Sequence, residues 1–192
     1  MPDNTSSLSY IIKTRRTTKP PMMNGKKIPD EQIWQLLQLA DWAPTHANTE
    51  PWRFVVYADP KVFCAEHAEL YRDKTPAQDF MQFNYEKLLH MGDKASHVII
   101  GIMQRGPLSK IPVLEEIAAT ACAMQNILLG ATELGIASYW GSGGMAYKPE
   151  MKEFLNLKGE DVVMGILYLG YTDSQSTGER TIPLDKKVKW IG

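Results

Sequence analysis

Two short stretches of this 192-residue chain have residue types and spacing that could do chemistry. The first, Lys13-Thr14-Arg15-Arg16-Thr17-Thr18-Lys19, is cationic and rich in hydroxyls. Guanidinium groups keep their charge near neutral pH and meet phosphate oxygens two at a time, which makes Arg15 and Arg16 candidate phosphate ligands. Thr17 and Thr18 add hydroxyls that donate or accept, and Lys19 adds a compact ammonium suited to negative charge on a bound ring. Taken alone, the segment reads equally well as a solvated basic stretch near a chain terminus.

The second stretch tips that balance. Ala43-Pro44-Thr45-His46-Ala47-Asn48-Thr49-Glu50-Pro51-Trp52 packs prolines, an imidazole, an amide and a carboxylate into one expected helix-to-strand junction. His46 and Asn48 are placed to reach a ligand, with Trp52 packed beneath; the alternative is a Thr/Asn-capped surface loop.

Composition narrows the partners. A formal charge of −1 and a pI near 6.4 give no global attraction to nucleic acid or an anionic membrane, so a basic site must be local. The two cysteines, Cys64 and Cys122, form no C-x-x-C pair and have no histidine at ligand spacing. Neither a disulfide framework nor a structural zinc is expected, and both thiols are expected to pack as small apolar groups. His67, His90 and His97 are expected in surface or capping roles. The N-terminus has no signal-peptide pattern and no apolar run is long enough to span a membrane, so the expectation is a soluble cytoplasmic protein.

The elements that must position these stretches read as one domain, residues 1–192, with 1–7 flexible. Leu8 to Thr14 predicts a short helix ending just before Arg15. Pro29-Asp30-Glu31 opens a second helix with Ile33, Leu36, Leu37 and Ala40 as its apolar stripe, stopped by Pro44. Trp52 to Tyr57 predicts a strand and Pro60 to about Tyr71 a helix. Residues 72–91 carry no clear period and fit either a pocket cover or a plain surface helix. Val98-Ile99-Ile100-Gly101-Ile102-Met103 predicts a central strand buried on both faces. Val113 to Leu134 is the longest helix, rich in alanine and expected to be buried nearly all round, which suggests a homodimer interface. Gly135 suits its C′ position. Ile136 to Trp140 and Val162 to Leu169 supply further strands, a helix lies between them, and residues 181–192 form an extended tail. The pattern is α+β. It contains no G-x-G-x-x-G after a first strand and no G-x-x-x-x-G-K-[ST], which disfavours Rossmann and P-loop nucleotide sites.

These motifs, in this order, resemble the nitroreductase family. Arg15-Arg16-Thr17-Thr18-Lys19 is similar to the family's R-x-[ST]-x-K start, and Ala43 to Trp52 to its A-P-[ST]-x-x-N-x-Q-P-W signature. Gly135-Ile136-Ala137-Ser138-Tyr139-Trp140-Gly141-Ser142-Gly143-Gly144 resembles the turn after the family's long interface helix, and Arg180 to Trp190 its basic C-terminal segment. The short length is closest to the compact YdjA-like subgroup. Glu50 departs from the pattern, standing where the family commonly has Gln. A carboxylate cannot donate unless protonated, so Glu50 is left out of the expected site.

The resemblance implies a central mixed β-sheet flanked by helices, with FMN held at a homodimer interface and touching both chains. Carried over, Arg15, Arg16 and Thr17 bind FMN, with Lys19 near the pyrimidine edge of its ring. Trp42, His46 and Asn48 come from the helix exit, and Trp140, Gly141 and Ser142 from the turn. Arg180, Lys186 or Lys187 is a further phosphate candidate. The implied activity takes hydride from NADH or NADPH and reduces a small electron acceptor such as a nitroaromatic or quinone. A reductase of enones or halogenated rings fits the same residues, as does an FMN-binding module without turnover. No catalytic side chain and no metal are expected, because the flavin carries the chemistry.

Overall fold

The computed structural model describes residues 7–174 and 177–192. The expected flexibility of 1–7 falls outside this range except at Ser7, whose hydroxyl accepts from the Tyr10 N–H at 3.2 Å and caps helix α1 (Leu8–Thr14). Helix α2 (Asp30–Asp41) begins after Pro29 with two acids in its first turn and buries Ile33, Leu36 and Ala40. Strand β1 spans Trp52–Tyr57. Helix α3 (Pro60–Lys74) starts at Pro60 with the Asp59 carboxylate accepting from the Lys61 N–H, and runs three residues past its expected end at Tyr71.

Beyond it, the stretch without a clear period holds a helix, α4 (Gln82–Leu89), with no residue fully buried. A helix that lies on α3 rather than in the core shows no apolar stripe in its sequence, which is why pattern alone left it open. Strand β2 (His97–Met103) is buried at every position, as its β-branched run requires. Helix α5 (Val113–Glu133) is followed by Gly135 at φ 69°, and the Ile136 N–H donates to the Ala131 carbonyl at 2.7 Å, closing the helix end. Strand β3 (Ala137–Gly141), helix α6 (Pro149–Phe154) and strand β4 (Val162–Gly170) complete the chain, with a single 3₁₀ turn, Leu184–Lys186, in the exposed tail.

The sheet order is β1-β2-β4-β3, antiparallel throughout. Among the described residues, parallel pairing enters only at Thr17, which bridges Ser138 on the outer side of β3. One face of the sheet packs against α2 and α5 through Ile33, Leu36, Met124, Ile127 and Leu167. The other face packs against α3 and α6 through Phe63, Cys64, Ile100, Met151 and Tyr168. The architecture is therefore the α+β one anticipated, with helices on both faces of the sheet; where a mixed sheet was expected, the four strands pair antiparallel and the Thr17–Ser138 bridge is parallel.

Three local expectations are corrected. Within one chain α5 is not buried all round, since Leu114, Ala118 and Cys122, successive at four-residue spacing, form an open stripe. Cys122 is exposed, whereas Cys64 packs as expected and burial pushes its thiol up to about 11. His67 and His97 are both 2% exposed: His67 lies against Phe63 and accepts from the Met145 N–H, and His97 opens strand β2, hydrogen-bonded to Ser96 and Asp30. No helix among the described residues is long and apolar enough to cross a membrane, and no cluster there could hold a metal ion.

Candidate functional site

The first motif lies along β3. Arg15 caps the end of α1, its N–H donating to the Ile11 carbonyl. Thr17 bridges Ser138, and the Thr18 N–H donates to the Ser138 carbonyl at 2.9 Å, so the segment continues the sheet for one step past its edge. Extended backbone turns successive side chains to opposite sides, which leaves Thr17 exposed and Thr18 buried. Arg16 folds back so that Nη1 donates to the carbonyls of Lys13 and Arg15, both at 2.8 Å. Its Nε is buried and has no hydrogen-bond partner among the described residues. A buried guanidinium N–H without an acceptor is costly, and a bound anion is one way to satisfy it. Gly178 lies against this guanidinium, where a Cβ would come within 2.7 Å of Nε. The tail therefore passes Arg16, and Arg180, exposed, follows two residues later.

The second motif is fastened elsewhere. Trp42 stands at the end of α2 with 87% of its surface exposed, unusual for an indole without a partner surface. The following turn, His46–Asn48, holds Ala47 at φ 51° and Asn48 at φ 53°, and Glu50 follows at φ 42°. Left-handed backbone at three non-glycine residues is strain of the kind that gathers at ligand sites. The loop is held by Thr45 Oγ1, which accepts from the Glu50 N–H at 3.1 Å and shares a 2.9 Å hydrogen bond with Thr49 Oγ1. His46 Nδ1 meets Glu115 Oε2 in the first turn of α5 at 2.6 Å. Trp52 is buried and donates from Nε1 to Asp41 Oδ1 at 3.0 Å, which ties the start of β1 to the end of α2.

The two motifs are consequently not brought together within one chain. His46 sits at the N-terminal end of α5, while Thr17 pairs with a residue just beyond its C-terminal end. From Glu115 to Glu133 the helix axis runs roughly 27 Å at 1.5 Å per residue.

Beside β3 lies a cavity of about 320 Å³, walled by α3, α4, β3, β4 and the turn after β3. Of the expected residues only Gly141 lines it; Ser142 is exposed in the turn that follows. Trp140 points to the opposite face of the sheet, packs against the α2–α5 core and donates from Nε1 to the Met164 carbonyl at 2.9 Å. Gly165 makes room for it, since a Cβ there would collide with the indole. Alternation along β3 is the reason: Tyr139 and Gly141 face the cavity, and Trp140 cannot.

Sequence reasoning missed Asn84, Lys87 and His67, all of which line this cavity. Asn84 and Lys87 sit three apart on one face of α4, a signal readable only once that helix is placed. His67 accepts at Nε2 from the Met145 N–H at 2.9 Å, and burial holds its imidazole down at about 4, so it is neutral in ordinary buffers. Met145 itself is buried in the core. A larger hollow of about 550 Å³ between α2 and β1 contains Trp34, Phe54 and Glu50 but none of the expected ligands. Glu50 lines this hollow and not the cavity beside β3.

Residues 12–171 match the model of the nitroreductase family. The chain belongs to that family. An Archaeoglobus fulgidus protein, whose name assigns it provisionally to the NADH dehydrogenases/NAD(P)H nitroreductases, is 31% identical over 84% of this chain and 83% of its own. YfhC of Bacillus subtilis, provisionally an NAD(P)H nitroreductase by name, is 25% identical over 93% of this chain and 91% of its own. Among solved structures, a nitroreductase-like family protein from Bacillus cereus superposes with a TM-score of 0.80 at 27% identity, covering 97% of this chain and 96% of that one. The nitroreductase fold therefore extends along essentially the whole chain.

Proposed function

We propose that this nitroreductase-family chain is an FMN-dependent oxidoreductase, taking hydride from NADH or NADPH and reducing a nitroaromatic, quinone or related acceptor. The observation that carries the reading is the basic segment Arg15–Lys19 laid against β3, with the buried Arg16 Nε lacking an acceptor, next to a cavity edged by Gly141, Gly143 and Gly144. The donor set fits the group. Arg15, Arg16 and the Thr17 hydroxyl would hold a phosphate, and the Lys19 and Lys87 ammoniums would favour negative charge on the ring. Asn84 offers an amide able to donate and accept at a ring edge, and Tyr139 an aromatic wall. When bound, FMN would supply the redox chemistry, while these residues bind it, orient it and set the charge around it. Structural neighbours support the assignment: one, provisionally a nitroreductase by name and in complex with FMN, from Desulfovibrio desulfuricans, has a TM-score of 0.74 at 18% identity, covering 100% of this chain and 99% of that one. Another is an NADPH:FMN oxidoreductase from Vibrio harveyi complexed with NAD+, with a TM-score of 0.73 at 18% identity.

The working form in this reading is a homodimer. A two-fold axis crossing α5 near its middle sets the N-terminal end of one helix beside the C-terminal end of the other. The open stripe of Leu114, Ala118 and Cys122 supplies a surface for that contact. The same operation carries Trp42, His46 and Asn48 of one chain toward Arg15–Lys19 of the other, completing a site that neither chain completes alone.

The test is spectroscopic. Protein mixed with FMN should show a bound-flavin spectrum that bleaches anaerobically with NADH or NADPH and recovers on adding a nitroaromatic or quinone. Bound flavin that neither nucleotide bleaches would contradict the enzymatic reading, and protein that takes up no FMN would contradict the site.

A further inference from the structure

His67 is a buried, uncharged acceptor, hydrogen-bonded at Nε2 to the Met145 N–H in the segment beside the cavity. A backbone N–H can only donate, so Nε2 must carry the lone pair and Nδ1 the proton; the Met145 contact thereby fixes the tautomer. The ring is held in α3 by Phe63, whose centroid lies 5.2 Å away. Gly144, at φ 63°, turns its Cα directly onto the imidazole: a Cβ there would stand 2.7 Å from His67 Nε2 and 2.7 Å from Leu88. The turn from Ser142 to Gly144 is thus clasped between α3 and α4 at one residue and hydrogen-bonded to α3 at the next.

We propose that His67 is a positioning residue for the cofactor: its Nε2 fixes the Ser142–Gly144 turn in the geometry that meets the flavin ring. The inference rests on the FMN reading above, and the clasp itself is measurable without FMN. Losing the acceptor strands a buried N–H, a defect that costs enough to reshape a glycine-rich turn, because glycines resist displacement least. His67 does not touch the reacting atoms in this account; it acts through Met145 and Gly144.

Three chains decide it: the parent, His67→Phe and His67→Gln. Phe keeps the ring volume and removes the acceptor, while the Gln amide oxygen restores an acceptor. In the parent and His67→Gln, hydrogen exchange at the Met145 amide should be slow. In His67→Phe it should be at least about tenfold faster, with the melting curve still cooperative. FMN should bind His67→Phe about tenfold or more weakly and with a shifted visible spectrum, and His67→Gln should recover most of both. A folded His67→Phe chain with parental exchange, affinity and spectrum overturns the proposal. If His67→Phe does not fold, His67→Gln decides: recovery supports the role, and a folded Gln chain with weak FMN binding and fast exchange overturns it. A parent that takes up no FMN removes the flavin from the proposal and overturns it as a cofactor-positioning role, and the exchange data then still report whether the clasp exists.

Discussion

His46 and Glu115 meet at 2.6 Å between Nδ1 and Oε2, and this contact fixes which end of the long helix carries the helix-exit motif. Thr17, bridged to Ser138, marks the other end. Everything proposed about a shared site depends on that opposition. Both His46 and Glu115 are substantially exposed, so the pair contributes little to stability and serves to orient the loop. Replacing Glu115 by Gln should leave the denaturation midpoint nearly unchanged and weaken FMN binding by a few-fold, as measured by flavin titration.

Substituting both Arg15 and Arg16 by Ala removes the charged donors assigned to the phosphate. Charge-assisted hydrogen bonds are worth about 1.5–3 kcal/mol each, so the dissociation constant for FMN should rise by roughly a hundredfold or more. Circular dichroism should show the fold retained, because the segment touches the sheet through backbone bonds at Thr17 and Thr18. Unchanged affinity in the folded double variant would remove the phosphate assignment.

The acid limb of stability should carry the mark of His67. Its folded value near 4 lies below its ordinary 6.5, so between these values the unfolded chain binds a proton that the folded chain refuses. The stability that His67 contributes is therefore fully present above pH 6.5, falls as pH drops through this window and levels off below about 4. The contribution is roughly 3 kcal/mol at 1.36 kcal/mol per pH unit. Denaturant titrations at several pH values should show this slope in the parent and a flatter one in His67→Phe.

Ala118 is exposed on the open stripe of α5. A carboxylate there, Ala118→Glu, should leave the protomer folded but would put an unpaired charge into the proposed two-fold interface. Sedimentation should find a monomer, and flavin titration should find FMN affinity largely lost. A folded monomer that binds FMN as tightly as the parent would contradict a shared site.

Local chemistry made much of this molecule readable in advance. α1, β1 and β2 obey caps, proline stops and β-branched runs, all of which act over a few residues. The basic segment and the helix-exit loop were likewise visible as residue types at fixed spacing. What stayed hidden depends on tertiary placement. α4 rests on α3 and shows no core stripe, so Asn84 and Lys87 could not be assigned to a cavity. His67 became a buried acceptor only when α3 turned it toward the turn after β3. The family resemblance groups Trp140 with Gly141, although strand alternation sends the two to opposite faces.

The most direct test of the shared site is complementation between two defective chains. One carries Arg15→Ala and Arg16→Ala; the other carries His46→Ala and Asn48→Gly, the glycine chosen because it accepts the positive φ of Asn48. Each homodimer alone should bind FMN weakly. Co-expressed with different tags and isolated as mixed dimers, they should regain one site of parental affinity per dimer, since one of the two sites then draws only unaltered motifs. Mixed dimers in which every site stays weak would show that each flavin is held by motifs of a single chain, contrary to this account.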